Sequence, residues 1–228
     1  RLRVLTWNIM TRCRNRPVNN GFAKEEGEDQ YMARLQQVAA LVALFFTRGA
    51  HVGLPMVACL QECPLDDHLL AVLTRCIQND FPGMQCCWQR SAGKLANVTL
   101  WDGGQWQLHP SPPCEATTER TLRTWLVPAT GEPFPAVALS NVHLAWGADP
   151  DLDNPAYCEH AAHVGKAIGA SLATSEAALA VFVGDFNLTV AHLVDTLLLH
   201  SPNVFVDQML ESSQAWKSGG PMPQTVDG

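Results

Sequence analysis

The stretch AALAVFVGDFN, residues 177–187, drives an unbroken apolar run into two polar side chains. Val181, Phe182 and Val183 are β-branched or aromatic, which favours a strand. A strand apolar at consecutive positions needs cover on both faces, so it belongs inside a layered structure. The chain must therefore build layers around this strand and still accommodate Asp185 and Asn187 at its end.

Other segments supply the layers. RVLTWN at the start reads as a strand ending at Asn8, and LPMVACLQE (54–62) as an apolar strand ending at Glu62. Between them, residues 29–46 form a helical stripe of Tyr31, Leu35, Val38, Val42 and Phe45. Residues 64–78 predict a second helix with Pro64 near its first turn. The stretch 84–109 reads as strands with turns at Ala92-Gly93 and Gly103-Gly104. TLRTWLVPA and FPAVALSNVHLAWG are two further strands. A helix is expected after Asn154-Pro155, a short one after Thr189, and a strand at 203–207. Strands and helices alternate at both ends around a strand-rich middle, the pattern of an α/β domain with mixed sheets. No repeat or linker divides the chain, so residues 1–228 are expected to form a single domain.

Composition narrows the class. The chain is 47% hydrophobic and 16% charged, a globular balance. Its formal charge of −7 gives no excess of basic residues to advertise a nucleic-acid partner. That is weak evidence against one, since a small local basic patch can suffice; Arg12, Arg14 and Arg16 sit in the long loop after Asn8, where a solvated loop is the first reading and substrate contact the second. The 8 cysteines form no CxxC pair, which suits buried reduced thiols better than a zinc site or a disulfide framework. The expected location is therefore cytoplasmic. The most apolar run, 35–46, is too short to span a bilayer, so no transmembrane segment is expected.

Four apolar strands end in polar groups: Asn8, Glu62, His143, and Asp185 with Asn187. Each alone reads as a turn residue, a surface carboxylate or a satisfied core histidine. As a set they point to chemistry, because strand ends in layered α/β proteins aim side chains at one point. Carboxylates at such ends are costly to desolvate unless something pairs with them. Mg²⁺ does so with few carboxylates, completing its shell with water and phosphate oxygens. Metal, histidine and aspartate are the parts needed to cleave a phosphate ester.

The segments LTWNI, YMARLQQVAALV, VACLQE, LSNVHLAW and VFVGDFNLT occur in this order. The sequence they form resembles the endonuclease/exonuclease/phosphatase, or DNase I-like, superfamily, nearest in wording to its CCR4-deadenylase and neutral sphingomyelinase branches. The resemblance implies a four-layer α/β sandwich, two packed mixed β-sheets with helices outside. It implies a Mg²⁺-dependent phosphodiesterase, with Mn²⁺ as the alternative cofactor, and a nuclease as the first reading. A lipid or inositol-polyphosphate phosphoesterase and an inactive binding module are the alternatives. The expected partner is nucleic acid or another phosphodiester substrate.

By the same resemblance, Glu62 would be the principal metal ligand, with Asn8 helping to arrange the metal and phosphate site. His143 would contact the scissile phosphate or its leaving group. Asp185 would orient or deprotonate the attacking water, and Asn187 would hydrogen-bond the phosphate and hold Asp185. Asp227 matches an aspartate that orients a catalytic histidine. The family ends in a Ser-Asp-His motif beyond that position, while this sequence stops at Gly228, so a C-terminal truncation is expected.

Two other signals carry less. Asp149, Asp151 and Asp153 resemble the start of a calcium loop, but Asn154 and His160 stand where that loop needs Gly and Glu. Trp7, Trp125, Trp146 and Trp216 lie near strand ends or loops, where base stacking competes with ordinary core packing.

Overall fold

A computed structural model of the protein describes residues 2–10, 26–91, 95–109, 120–129, 135–143 and 179–186. The strands are β1 (Arg3–Asn8), β2 (Met56–Pro64), β3 (Met84–Arg90), β4 (Leu95–Asp102), β5 (Trp106–Leu108), β6 (Thr121–Pro128), β7 (Val137–His143) and β8 (Leu179–Asp185). The helices are α1 (Glu28–His51) and α2 (Asp67–Asp80). Two four-stranded sheets form, ordered β1-β2-β4-β3 and β5-β6-β7-β8. Each holds one parallel pair, β1 with β2 and β7 with β8, beside antiparallel neighbours. These are the two packed mixed sheets of the expected sandwich. The predicted helix after Pro155, the short helix after Thr189 and the strand at 203–207 lie outside the described residues.

The strand period of two divides the first sheet's side chains between two cores. Ala58, Leu60, Val98 and Leu100 face the helices, where they meet Leu35, Val38, Val42 and Phe46 of α1 and Leu70, Leu73 and Ile77 of α2. Val57, Cys59 and Trp101 face the second sheet, where they meet Leu126, Val137 and Leu139, with Val181 and Val183 packed alongside. The strand carrying VFV is less covered than its composition predicts: among the described residues Val181 and Val183 pack against the inter-sheet core on one face, and Val181, Phe182 and Val183 are all only partly buried.

Both helices differ from their sequence reading at the edges. α1 runs to His51, five residues past the expected end. Gly49 lets it continue close against β2, because a Cβ there would collide with the Met56 side chain. Phe46 takes the buried place expected of Phe45, which is only partly buried. The step from Val42 to the core is thus i+4 rather than i+3. Pro64 closes β2 and does not open α2. The N-cap is Asp66, whose carboxylate accepts from the backbone N–H of His68 (2.9 Å) and Leu69 (3.1 Å). Among the described residues no helix is long and apolar enough to cross a membrane.

Candidate active site

The parallel pair of each sheet ends at the same place. In register, Asn8 lies opposite Gln61 and His143 opposite Asp185. Strand alternation aims three of the predicted residues between the sheets. Thr6 reaches the second sheet through Gln61, so Asn8, two residues on, shares its face. Val137 and Leu139 line the inter-sheet core, and Asn141 and His143 continue their row. Val181 and Val183 likewise lead to Asp185.

Glu62 breaks the alternation. Leu60 and Cys63 both belong to the helix-facing core, so one extra residue lies between them. The β2–β4 register shifts there, and Glu62 has φ +56°, in the left-handed region. This bulge turns the Glu62 carboxylate toward the strand ends. Left-handed backbone at a residue other than Gly, Asn or Asp is costly and often marks function.

The four side chains meet. Asn8 Nδ2 donates to Glu62 Oε1 (3.0 Å) and to Asp185 Oδ2 (2.9 Å). Its Oδ1 accepts the Met10 N–H at 3.0 Å, which sets the amide's orientation. His143 Nε2 stands 3.6 Å from Glu62 Oε1, and its Nδ1 is 3.5 Å from Ser91 Oγ. The side chains of His143 and Glu62 are only 9% and 12% exposed. Asn187 and Asp227 lie outside the described residues, as do Arg12, Arg14, Arg16, the Asp149–Asp153 loop, Trp146 and Trp216. Trp7 packs against the helix-facing core, and Trp125 lies 5.9 Å from the His109 ring, centroid to centroid.

Beneath the four lies a polar layer that the sequence reading did not single out. Gln61 is fully buried and its Nε2 donates to Asn141 Oδ1 (2.7 Å), Cys59 O (3.0 Å) and Thr6 Oγ1 (3.2 Å). Asn141 Nδ2 crosses back to the carbonyls of Leu60 (3.1 Å) and Val98 (2.9 Å). Asn97 Nδ2 donates to the carbonyls of Asn141 and Arg120, both at 3.1 Å. The Arg120 carbonyl also accepts the His143 N–H at 2.9 Å. Asn97 Oδ1 is buried without a partner among the described residues, but the Gln61 and Asn141 amide bonds that cross between the sheets fix their spacing. The signal in the sequence was a polar residue inside each of the runs VACLQE and ALSNVH.

The nearest thiol takes no part. Burial pushes Cys63 up, and the neighbouring Glu62 charge adds to it, so it stays protonated at neutral pH. Burial likewise pushes Cys59 up to about 12 and Cys87 to about 11. Cys59, Cys63, Cys76, Cys86 and Cys87 are free, in line with the reduced-thiol reading.

Among the described residues, no three His, Cys, Asp or Glu side chains cluster as a metal cage. Glu62 and Asp185, joined through one amide, nevertheless match what Mg²⁺ takes: one or two carboxylates, with water and phosphate completing the shell.

No protein-family profile and no curated protein matches the chain. Solved structures do. D. rerio TDP2, humanized by 14 mutations, superposes with a TM-score of 0.53 at 13% identity, over 85% of this chain and 65% of its own. This chain has the DNase I-like fold. It spans just under two thirds of that TDP2 chain. ANGEL2, described as a 2',3'-cyclic phosphatase, overlaps less closely, at TM-score 0.49 and 17% identity over 81% of this chain and 52% of its own. The endonuclease domain of TRAS1, a telomere-specific non-LTR retrotransposon, gives 0.43 at 14% identity over 85% and 70%.

Proposed function

We propose that the protein is a divalent-metal-dependent phosphoric ester hydrolase acting on a phosphodiester, with nucleic acid as the substrate class. The observation that carries this reading is the junction of Glu62 and Asp185, from different sheets, through the single amide of Asn8. The DNase I-like fold supports it.

Glu62 would hold the metal, and Asn8 would belong to the metal group through the two carboxylates it fixes. A bound Mg²⁺ or Mn²⁺ would supply charge neutralisation at a phosphoryl oxygen. Asp185 orients the attacking water and receives its proton, since its carboxylate is held by Asn8 at one oxygen. His143 faces the same space with Nε2 and donates to the phosphate or its leaving oxygen. Asn187 and Asp227 keep the roles that the resemblance gives them: the first as a phosphate contact, the second as an orienting carboxylate.

A panel of DNA and RNA oligonucleotides, sphingomyelin and a phosphoinositide tests the reading, with Mg²⁺, Mn²⁺ or a chelator. Hydrolysis of the nucleic acids, lost with the chelator and reduced by about 10²-fold or more in Asp185→Ala, is expected. An unchanged rate in that variant defeats the assignment. Binding gives a second readout: Mg²⁺ should raise the melting temperature of the wild type and not that of Glu62→Gln.

A further inference from the structure

Asn8 joins the two carboxylates only while its amide is held in one orientation. That orientation depends on the turn after β1. The Met10 N–H donates to Asn8 Oδ1, and Met10 itself has φ +56°. The turn leaves the carbonyls of Ile9 and Met10 facing one donor, Arg34 Nη1 of α1, at 2.5 Å and 2.9 Å.

The guanidinium is itself fixed from behind. Glu26 takes it in a two-point fork, Nε to Oε1 at 2.8 Å and Nη2 to Oε2 at 2.9 Å. The Tyr31 ring lies under it, 5.0 Å from the guanidinium carbon to the ring centroid. A charge held this way is preorganised, and a planar fork does this where an ammonium cannot. Ile9 anchors the other side of the turn, buried in the helix-facing core and donating its N–H to the Gln61 carbonyl at 3.0 Å.

We infer that Arg34 is a positioning residue: it sets the orientation of the Asn8 amide, and through it the placement of the Glu62 and Asp185 carboxylates. The inference rests on the hydrolase reading for its effect on rate, but not for its effect on Asn8. Loss of the guanidinium leaves two turned carbonyls without their charged donor. The turn then relaxes, Met10 N–H leaves Asn8 Oδ1, and the amide is free to rotate away from the carboxylates. α1 thereby joins its N-terminal half to a site that it does not line.

The test is a double-mutant cycle of Arg34→Met and Asn8→Ala in the full chain, read as kcat and KM. Arg34→Met should lower kcat about ten-fold with little change in KM, and Arg34→Lys should recover part of the loss. In the Asn8→Ala background the Arg34→Met factor should vanish. The same factor in both backgrounds overturns the inference, because a general loss of packing would act regardless of Asn8. The second measurement is exchange of the Asn8 side-chain amide protons by NMR. They should be protected in the wild type and exchange faster in Arg34→Met, and unchanged exchange overturns the inference. If the wild type hydrolyses no phosphoester, the hydrolase reading falls, and amide exchange alone decides the role of Arg34.

Discussion

The two sheets solve one problem in different ways. Each ends a parallel pair at the site, β1/β2 with Asn8 and Glu62, β7/β8 with His143 and Asp185. The second sheet delivers both of its residues by plain alternation and puts its irregular backbone in a glycine, Gly184 at φ +136°. The first sheet delivers Asn8 by alternation but Glu62 by a bulge, with the irregular backbone in the proposed metal ligand itself. Where strain sits beside the chemistry, the chemical residue and the backbone can be varied apart. Where it sits within the chemical residue, they cannot. Substitutions at the two sites therefore sharpen the comparison.

The largest effect is expected at Gly184. It lies opposite Val142 in the parallel ladder, and a Cβ would collide with the Val142 carbonyl oxygen and come within 2.7 Å of its nitrogen. Backbone cannot swing aside as a side-chain tip would. Gly184→Ala should cost about 3 kcal/mol or more, from strain and overlap together. Urea denaturation checks this. A loss below about 1 kcal/mol would mean that the ladder slides to make room, and that the second sheet is the softer one.

The polar layer between the sheets comes next. Asn141→Leu removes the acceptor for Gln61 and both donors to Leu60 and Val98. Gln61 keeps Cys59 O and Thr6 Oγ1 as acceptors, so the loss should be about 2 kcal/mol, within the roughly 1–3 kcal/mol of one unpaired buried polar group. Gln61→Leu with Asn141→Leu takes out both amides, and part of the stability should return, since an apolar pair needs no partners. Activity should not return with it, because the amides space the ends of β2 and β7 that carry Glu62 and His143. Recovery of both would show that the layer only fills space.

The same division explains what could be read from the sequence. The strand ends at Asn8, His143 and Asp185 were legible because alternation and an apolar run together fix both the end of a strand and its facing side. Glu62 was legible as a strand end, but not in its aim, which depends on the register of β2 against β4, a pairing distant in sequence. Gln61 and Asn141 were hidden by their neighbours. Beside Glu62 and His143, a second polar residue reads as part of the same strand end, although both are buried and bonded to each other between the sheets. At the helices, Pro64 fits a strand end as well as a first turn because its fixed φ suits either. Phe45 and Phe46 compete for one place in the stripe, and packing against Phe81 at 5.4 Å favours the second.

The smallest effect tests the bulge directly. Glu62→Ala and Glu62→Gly both remove the carboxylate, and both should abolish metal-dependent hydrolysis. They differ in the backbone. Alanine retains the cost of a left-handed φ, whereas glycine adopts +56° freely. Glycine also gains entropy in the unfolded chain, which works against it. If the bulge is strained, the glycine variant should still be the more stable by about 1 kcal/mol, since relief of left-handed strain outweighs that entropy. A more stable alanine variant would mean that the bulge is relaxed in its surroundings. The contrast with Gly184 would then be one of residue type alone. A more stable glycine variant means that the first sheet carries a carboxylate where a glycine would fold better, a local trade of stability for function.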